Sequence, residues 1–152
     1  MNKTVIYTDG SCWNKGDGEH QPGQGDGGWA CVITHPDETI QELSGKIANT
    51  TNNRAEMLAA IEGLKSLELS CEVELYSDSA YLVNCFRDKW YVKWQKNGWI
   101  NSKKQPVENK DLWEELLTLS KKHNVTFCKV KGHANNALNN RCDKLAGEAR
   151  KK

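Results

Sequence analysis

The chain reads as an α/β protein built on a mixed sheet of about five strands, and three observations carry that reading. Short β-forming runs crowd the first 50 residues, apolar spacing switches to a helical period after them, and strand and helix then alternate to the end. Residues 3 to 9, "KTVIYTD", form the first expected strand. The loop "NKGDGEHQPGQGDGG" follows, and its glycines and Pro22 argue against regular structure there. "WACVITH" and the weaker "TIQELSGKI" are two more strands joined by the turn "PDET", so the first three should form an antiparallel meander.

"NTTNNRAEMLAAIEGLKSL" places Met57, Ala60, Ile61, Leu64 and Leu67 on one helical face, with Thr or Asn available as N-cap. A strand at 72 to 77, "EVELYS", comes next. Strand, helix and strand in that order favour a parallel right-handed crossover, and if the first and fourth strands are neighbours their carboxyl ends lie side by side. Residues 79 to 96 read as two helical pieces stopped by Gly98, and "INSKKQPVEN" as a loop. A helix from about Lys110 to Lys122, the strand "VTFCKVK", the loop "GHANNALNN" and a helix from about Asn140 complete the order.

The totals exclude several roles. At 152 residues the chain suits one domain, able to bury about two thirds of its unfolded surface. A hydrophobic fraction of 38% and a mean hydropathy of -0.75 leave no run near the roughly 20 apolar residues that span a bilayer. The start "MNKTVIY" enters a strand at once, with no room for a signal peptide, so a cytoplasmic place, no membrane partner and a monomer are expected. Cys12, Cys31, Cys71, Cys85, Cys128 and Cys142 lack C-x-x-C spacing and read as free thiols rather than disulfides or a zinc site. Net charge is only +1, yet 87 to 104 holds Arg87, Lys89, Lys93, Lys96, Lys103 and Lys104 against the single acid Asp88.

Two strands run into an aspartate, Asp9 in "VIYTDGSC" and Asp78 in "ELYSDSAY". Binding groups of open α/β sheets gather at the carboxyl ends of parallel strands. Two carboxylates about 4 Å apart would repel by roughly 4 kcal/mol at an effective dielectric near 20, so a divalent cation between them is the simplest reading. Taken singly, Asp9 could be a turn residue before Gly10 and Asp78 the N-cap of the next helix. Glu56, near a helix start, and Asp143, on the last helix, are two further acids that spacing alone does not bring to the same place.

The ordered set "YTDGS", "TTNNRAEM", "YSDSAY", "VKGHA" and "NNRCDKLA" resembles ribonuclease H of the cellular type 1 family, its bacterial members above all, over nearly the whole chain. The resemblance implies a ribonuclease H-like fold: a five-stranded mixed sheet, three antiparallel then parallel strands, with helices on both faces, in one catalytic domain over 1 to 152. It implies an endoribonuclease that hydrolyses the RNA strand of RNA–DNA hybrids by a two-metal-ion mechanism, leaving 5′-phosphate and 3′-hydroxyl ends. Its acids fall on Asp9, Glu56, Asp78 and Asp143, oxygen ligands suited to two Mg²⁺ ions, or Mn²⁺, with Asp9 serving both. His133 of "KGHA" is implied in proton transfer or product departure.

The resemblance also places Cys12 (through its backbone), Asn52, Asn53 and Glu56 along the minor groove of the hybrid, and Thr51 at a phosphate of the DNA strand. The segment 87 to 104 resembles the family's basic handle, with Lys93, Lys96, Lys103 and Lys104 as phosphate contacts. Trp90 and Trp94, four apart, should pack together and against Trp113. The glycine-rich loop 14 to 28 is longer than the family's turn and is expected to be a surface loop rather than a metal site of Asp17, Glu19, His20 and Asp26. The alternatives are a non-catalytic hybrid-binding module, which would be expected to have lost an acid, and a nuclease of the same fold with other specificity.

Overall fold

The computed structural model describes residues 3–12, 25–130 and 137–151. Five strands, β1 (Thr4–Cys12), β2 (Gly25–Thr34), β3 (Ile40–Thr50), β4 (Glu72–Ser77) and β5 (Asn124–Lys129), make one sheet in the order β3-β2-β1-β4-β5. β1 pairs antiparallel with β2 from Val5↔Thr34 to Cys12↔Gly27, and β2 pairs antiparallel with β3. β4 lies parallel to β1 and β5 parallel to β4. The five helices are α1 (Asn52–Lys65), α2 (Ala80–Arg87), α3 (Trp90–Asn97), α4 (Lys110–Lys122) and α5 (Ala137–Ala149).

Strand alternation sorts the helices onto two faces. Ile6, Cys31, Ile33, Val73, Leu75 and Phe127 point to the face where α1 and α4 pack, meeting Met57, Ile61, Leu64, Trp113 and Leu116 in one buried core. The opposite face of β2 carries Gly28, Ala30 and Val32 beneath α5. A Cβ on Gly28 would collide with the backbone of Ala146, so glycine here lets the helix rest on the sheet. The buried Cys142 thiol of α5 donates to the Tyr7 carbonyl at 3.1 Å.

Several boundaries differ from the sequence reading, among them the end of β3 at Thr50 and of β5 at Lys129. β1 continues past Asp9 to Cys12, because Gly10, Ser11 and Cys12 pair with Trp29, Gly28 and Gly27. For the same reason Gly25 to Gly28 belong to β2 and not to a loop; the rest of that loop, 13 to 24, lies outside the described residues. α5 begins at Ala137, three residues earlier than expected. All six cysteines are free, as their spacing indicates. Among the described residues no helix is long and apolar enough to cross a membrane.

The basic segment hangs on aromatic packing. Trp94 lies 6.2 Å from Trp90, 5.8 Å from Trp99 and 5.9 Å from Trp113 between ring centroids. Tyr81 touches Trp90 and Trp113. Gly98 ends α3 in the left-handed region at φ 79°, where its missing Cβ avoids strain. The expected Trp90, Trp94 and Trp113 cluster is therefore present, with Trp99 and Tyr81 added to it.

Candidate active site

Asp9 is not where the chain leaves the sheet. The parallel ladder of β1 with β4 ends at Tyr7↔Tyr76, and Asp9 sits two residues beyond it while still paired antiparallel with Ala30. The neighbouring strand has turned away there, so one flank of β1 opens at the carboxyl end of the parallel pair. Asp78 follows the last residue of β4 directly. The N-cap of α2 is Ser79, whose hydroxyl accepts from the Leu82 N–H at 3.2 Å, and the Asp78 carboxylate is turned instead toward Asp9.

Glu56 arrives from α1. Thr51 caps that helix by accepting from the Arg54 N–H at 3.2 Å, and Glu56 follows in the second turn. The helix can approach β1 because residue 10 has no side chain: a Cβ there would collide with the backbone of Ala55 and Glu56. The contact is sealed by the Gly10 N–H, which donates to Glu56 Oε1 at 2.7 Å. A glycine inside a strand marks close backbone approach, a signal that the Gly10 of "TDGS" carries beside its aspartate.

Asp9, Glu56 and Asp78 thus bring one carboxylate oxygen each within 4.8 Å of one another. Asp143, an exposed residue of α5, lies near enough to Asp9 that its carboxylate adds to the upward push on that group. Asp9 is 5% exposed, and burial first, then the Asp78 charge, push its carboxyl up to about 8. Glu56 is likewise raised well above the usual carboxylate range, by burial and then by the charges of Asp9 and Asp78. The Gly10 amide opposes both shifts. Asp9 is buried and Glu56 and Asp78 are half-buried, and an all-oxygen set of this kind fits a hard divalent ion better than zinc.

The other expected residues divide. Cys12 is buried, its thiol donating to the Thr50 carbonyl at 3.3 Å, so only its backbone can face a ligand. Asn52 and Asn53 are exposed on the first turn of α1, and Lys93, Lys96, Lys103 and Lys104 are all exposed. Asp26, named with Asp17, Glu19 and His20, accepts from the Asn49 N–H at 3.2 Å and lies 3.9 Å from Lys46. His133, Asp17, Glu19 and His20 lie outside the described residues. A cavity of about 650 Å³ opens at the opposite end of the strands, between Thr4, His35 and Leu69, away from the acids.

The parallel strand ends of this α/β fold meet a cluster of acidic side chains, an oxygen-ligand arrangement of the class that metal-dependent hydrolases use. The family model for RNase H matches residues 1–151. Ribonuclease H of Symbiobacterium thermophilum is 52% identical over 149 residues, which is 98% of this chain and 95% of that one. LC9-RNase H1, a type 1 RNase H, superposes with a TM-score of 0.83 at 26% identity, over 99% of this chain and 73% of that one. LC11-RNase H1, solved in complex with RNA/DNA hybrid, gives 0.71 at 26%, over 98% and 97%. The chain belongs to the ribonuclease H family.

Proposed function

We propose that this chain is an endoribonuclease that hydrolyses the RNA strand of RNA–DNA hybrids, leaving 5′-phosphate and 3′-hydroxyl ends. The observation that carries the proposal is the convergence of Asp9, Glu56 and Asp78 at the carboxyl end of the parallel strands in a chain of this family. With Asp143 they would hold two divalent ions, Mg²⁺ or Mn²⁺. Bound there, such ions supply the charge that activates water and stabilises a departing oxyanion in phosphoryl chemistry. Asp9 lies in the cluster with Glu56 and Asp78 and also feels the carboxylate of Asp143, which supports a part for it in holding both ions.

The protein's own residues hold and orient. The Gly10 N–H fixes one oxygen of Glu56, leaving the other for ligation. His133 is proposed to move a proton or help the product leave. Cys12 through its backbone, Asn52, Asn53 and Glu56 would read the minor groove, where the 2′-hydroxyl distinguishes RNA, and Thr51 would meet a DNA phosphate at the positive end of α1. Lys93, Lys96, Lys103 and Lys104 would neutralise phosphates. Replacing these four by Ala is expected to raise KM and flatten its dependence on salt, because each lost contact removes about one released counterion. Unchanged kinetics from low to high salt would reject the segment as a binding surface.

Cleavage of an end-labelled hybrid beside single-stranded RNA, double-stranded RNA and double-stranded DNA tests the activity, with Mg²⁺, Mn²⁺ or chelator. The expected result is metal-dependent internal cuts in the RNA of the hybrid alone. Hybrid binding without cleavage under any metal would overturn it.

A further inference from the structure

We infer that Arg54, Asn109 and Tyr81 form a positioning bracket that sets the basic segment at a fixed distance from the acidic site. The inference rests on the proposed hybrid cleavage and adds to it a determinant of how substrate is held. Arg54 lies two residues before Glu56, and its guanidinium forks onto Asp111 at 3.1 and 2.9 Å while also donating to Asn109 Oδ1 at 3.1 Å. Asn109 Nδ2 donates in turn to the Tyr81 hydroxyl at 3.2 Å, which also accepts from Trp113 Nε1 at 3.3 Å. Tyr81 lies three residues after Asp78, and its ring packs on Trp90 at the start of α3. Hydrogen bonds therefore join α1, the helix of Glu56, to the start of α4 and to α2 just after Asp78, and the packing of Tyr81 on Trp90 carries that link to the base of the basic segment.

Asn109 shows that the arrangement is more than local stability. It stands at the N-cap of α4, a place where Asn ordinarily accepts from its own helix, yet it makes no side-chain cap. It adopts the left-handed region at φ 64° and spends both ends of its amide on Arg54 and Tyr81. Asn tolerates the left-handed region better than most residues, and from there its side chain ties distant elements together rather than capping its own helix. The Arg54–Asp111 pair, with side chains 34% and 65% exposed, contributes little by itself, so its value lies in aiming the guanidinium at Asn109.

Two mild variants test this. Tyr81→Phe keeps the ring and removes the hydroxyl, and Arg54→Lys keeps the charge and removes the fork. Each is expected to raise KM for hybrid about 3- to 10-fold with kcat within about 2-fold, and the double variant to raise KM no further than the worse single one, since both break one chain of contacts. Hybrid affinity measured in chelator should weaken by the same factors, a readout that needs no cleavage. Melting temperatures give the control: a fall in melting temperature with KM and affinity unchanged, or additive effects, or equal losses in kcat, would overturn the bracket. A parent chain that binds hybrid without cutting it would defeat the activity reading alone, and the affinity series would still decide the inference.

Discussion

In chelator at pH 8, Asp9→Asn is expected to melt above the parent chain, and in Mg²⁺ to lose nearly all cleavage of hybrid. The two halves share one cause. Asp9 has a folded-state value of about 8 against an ordinary 3.8, so the folded chain holds a proton that the unfolded chain has already lost. Stability from this group is fully present below about pH 4 and drains away as pH rises through 8, because in that window the native state binds more protons than the unfolded one. The loss is on the order of a few kcal/mol, shared with Glu56, or roughly 5 to 10 °C for a chain of this size. Asparagine keeps the volume and removes the charge, so the parent's fall in melting temperature between pH 5 and pH 8 should flatten in the variant. Added Mg²⁺ should raise the melting temperature of the parent and not of the variant. Cleavage should fall at least about 10³-fold, the scale on which losing preorganised charge stabilisation is felt. A variant that melts below the parent at pH 8, or that retains a tenth of the activity, would remove Asp9 from the centre of the site.

The sheet was legible from residue order, because short turns force antiparallel neighbours and a helical crossover forces a parallel one. Its ends were not. Gly10, Ser11 and Gly25 to Gly28 have poor strand propensity and are strand because β1, β2 and β3 pair through them, while glycine at 10 and 28 lets α1 and α5 approach the backbone closely. Tertiary demand overrode local preference at the two places that bring Glu56 and Asp143 toward Asp9. Spacing in the sequence could propose Asp9 and Asp78 as strand-end neighbours, but it had no means of bringing in acids from α1 and α5. Those came only through the resemblance of ordered motifs. Composition also pointed past Ser79, one residue after the acid it leaves unspent, and past Asn109, whose role depends on partners 55 residues before and 28 residues before it.

Gly10→Ala, which replaces no proposed ligand, should nonetheless damage the site severely. The new methyl would meet the backbone of Ala55 and Glu56, and backbone in the middle of a helix does not rotate away as a side-chain end would. Either α1 withdraws from β1 or β1 bends outward, and both lengthen the 2.7 Å bond from the Gly10 N–H to Glu56. Overpacking of this kind costs roughly 1 to 3 kcal/mol, while a displacement of about 1 Å at a reacting centre can cost 10²-fold in rate. The expected result is a folded protein, several degrees less stable, with kcat reduced by about two orders of magnitude and a higher Mg²⁺ requirement. Ala55→Gly supplies the control, since it removes only the Ala55 methyl and leaves the two backbone collisions, and so should not rescue. Rescue by Ala55→Gly would mean that side-chain crowding, not the approach of helix backbone to strand, sets the position of Glu56. Undiminished cleavage by Gly10→Ala itself would mean that the strand-to-helix contact does not place the site at all.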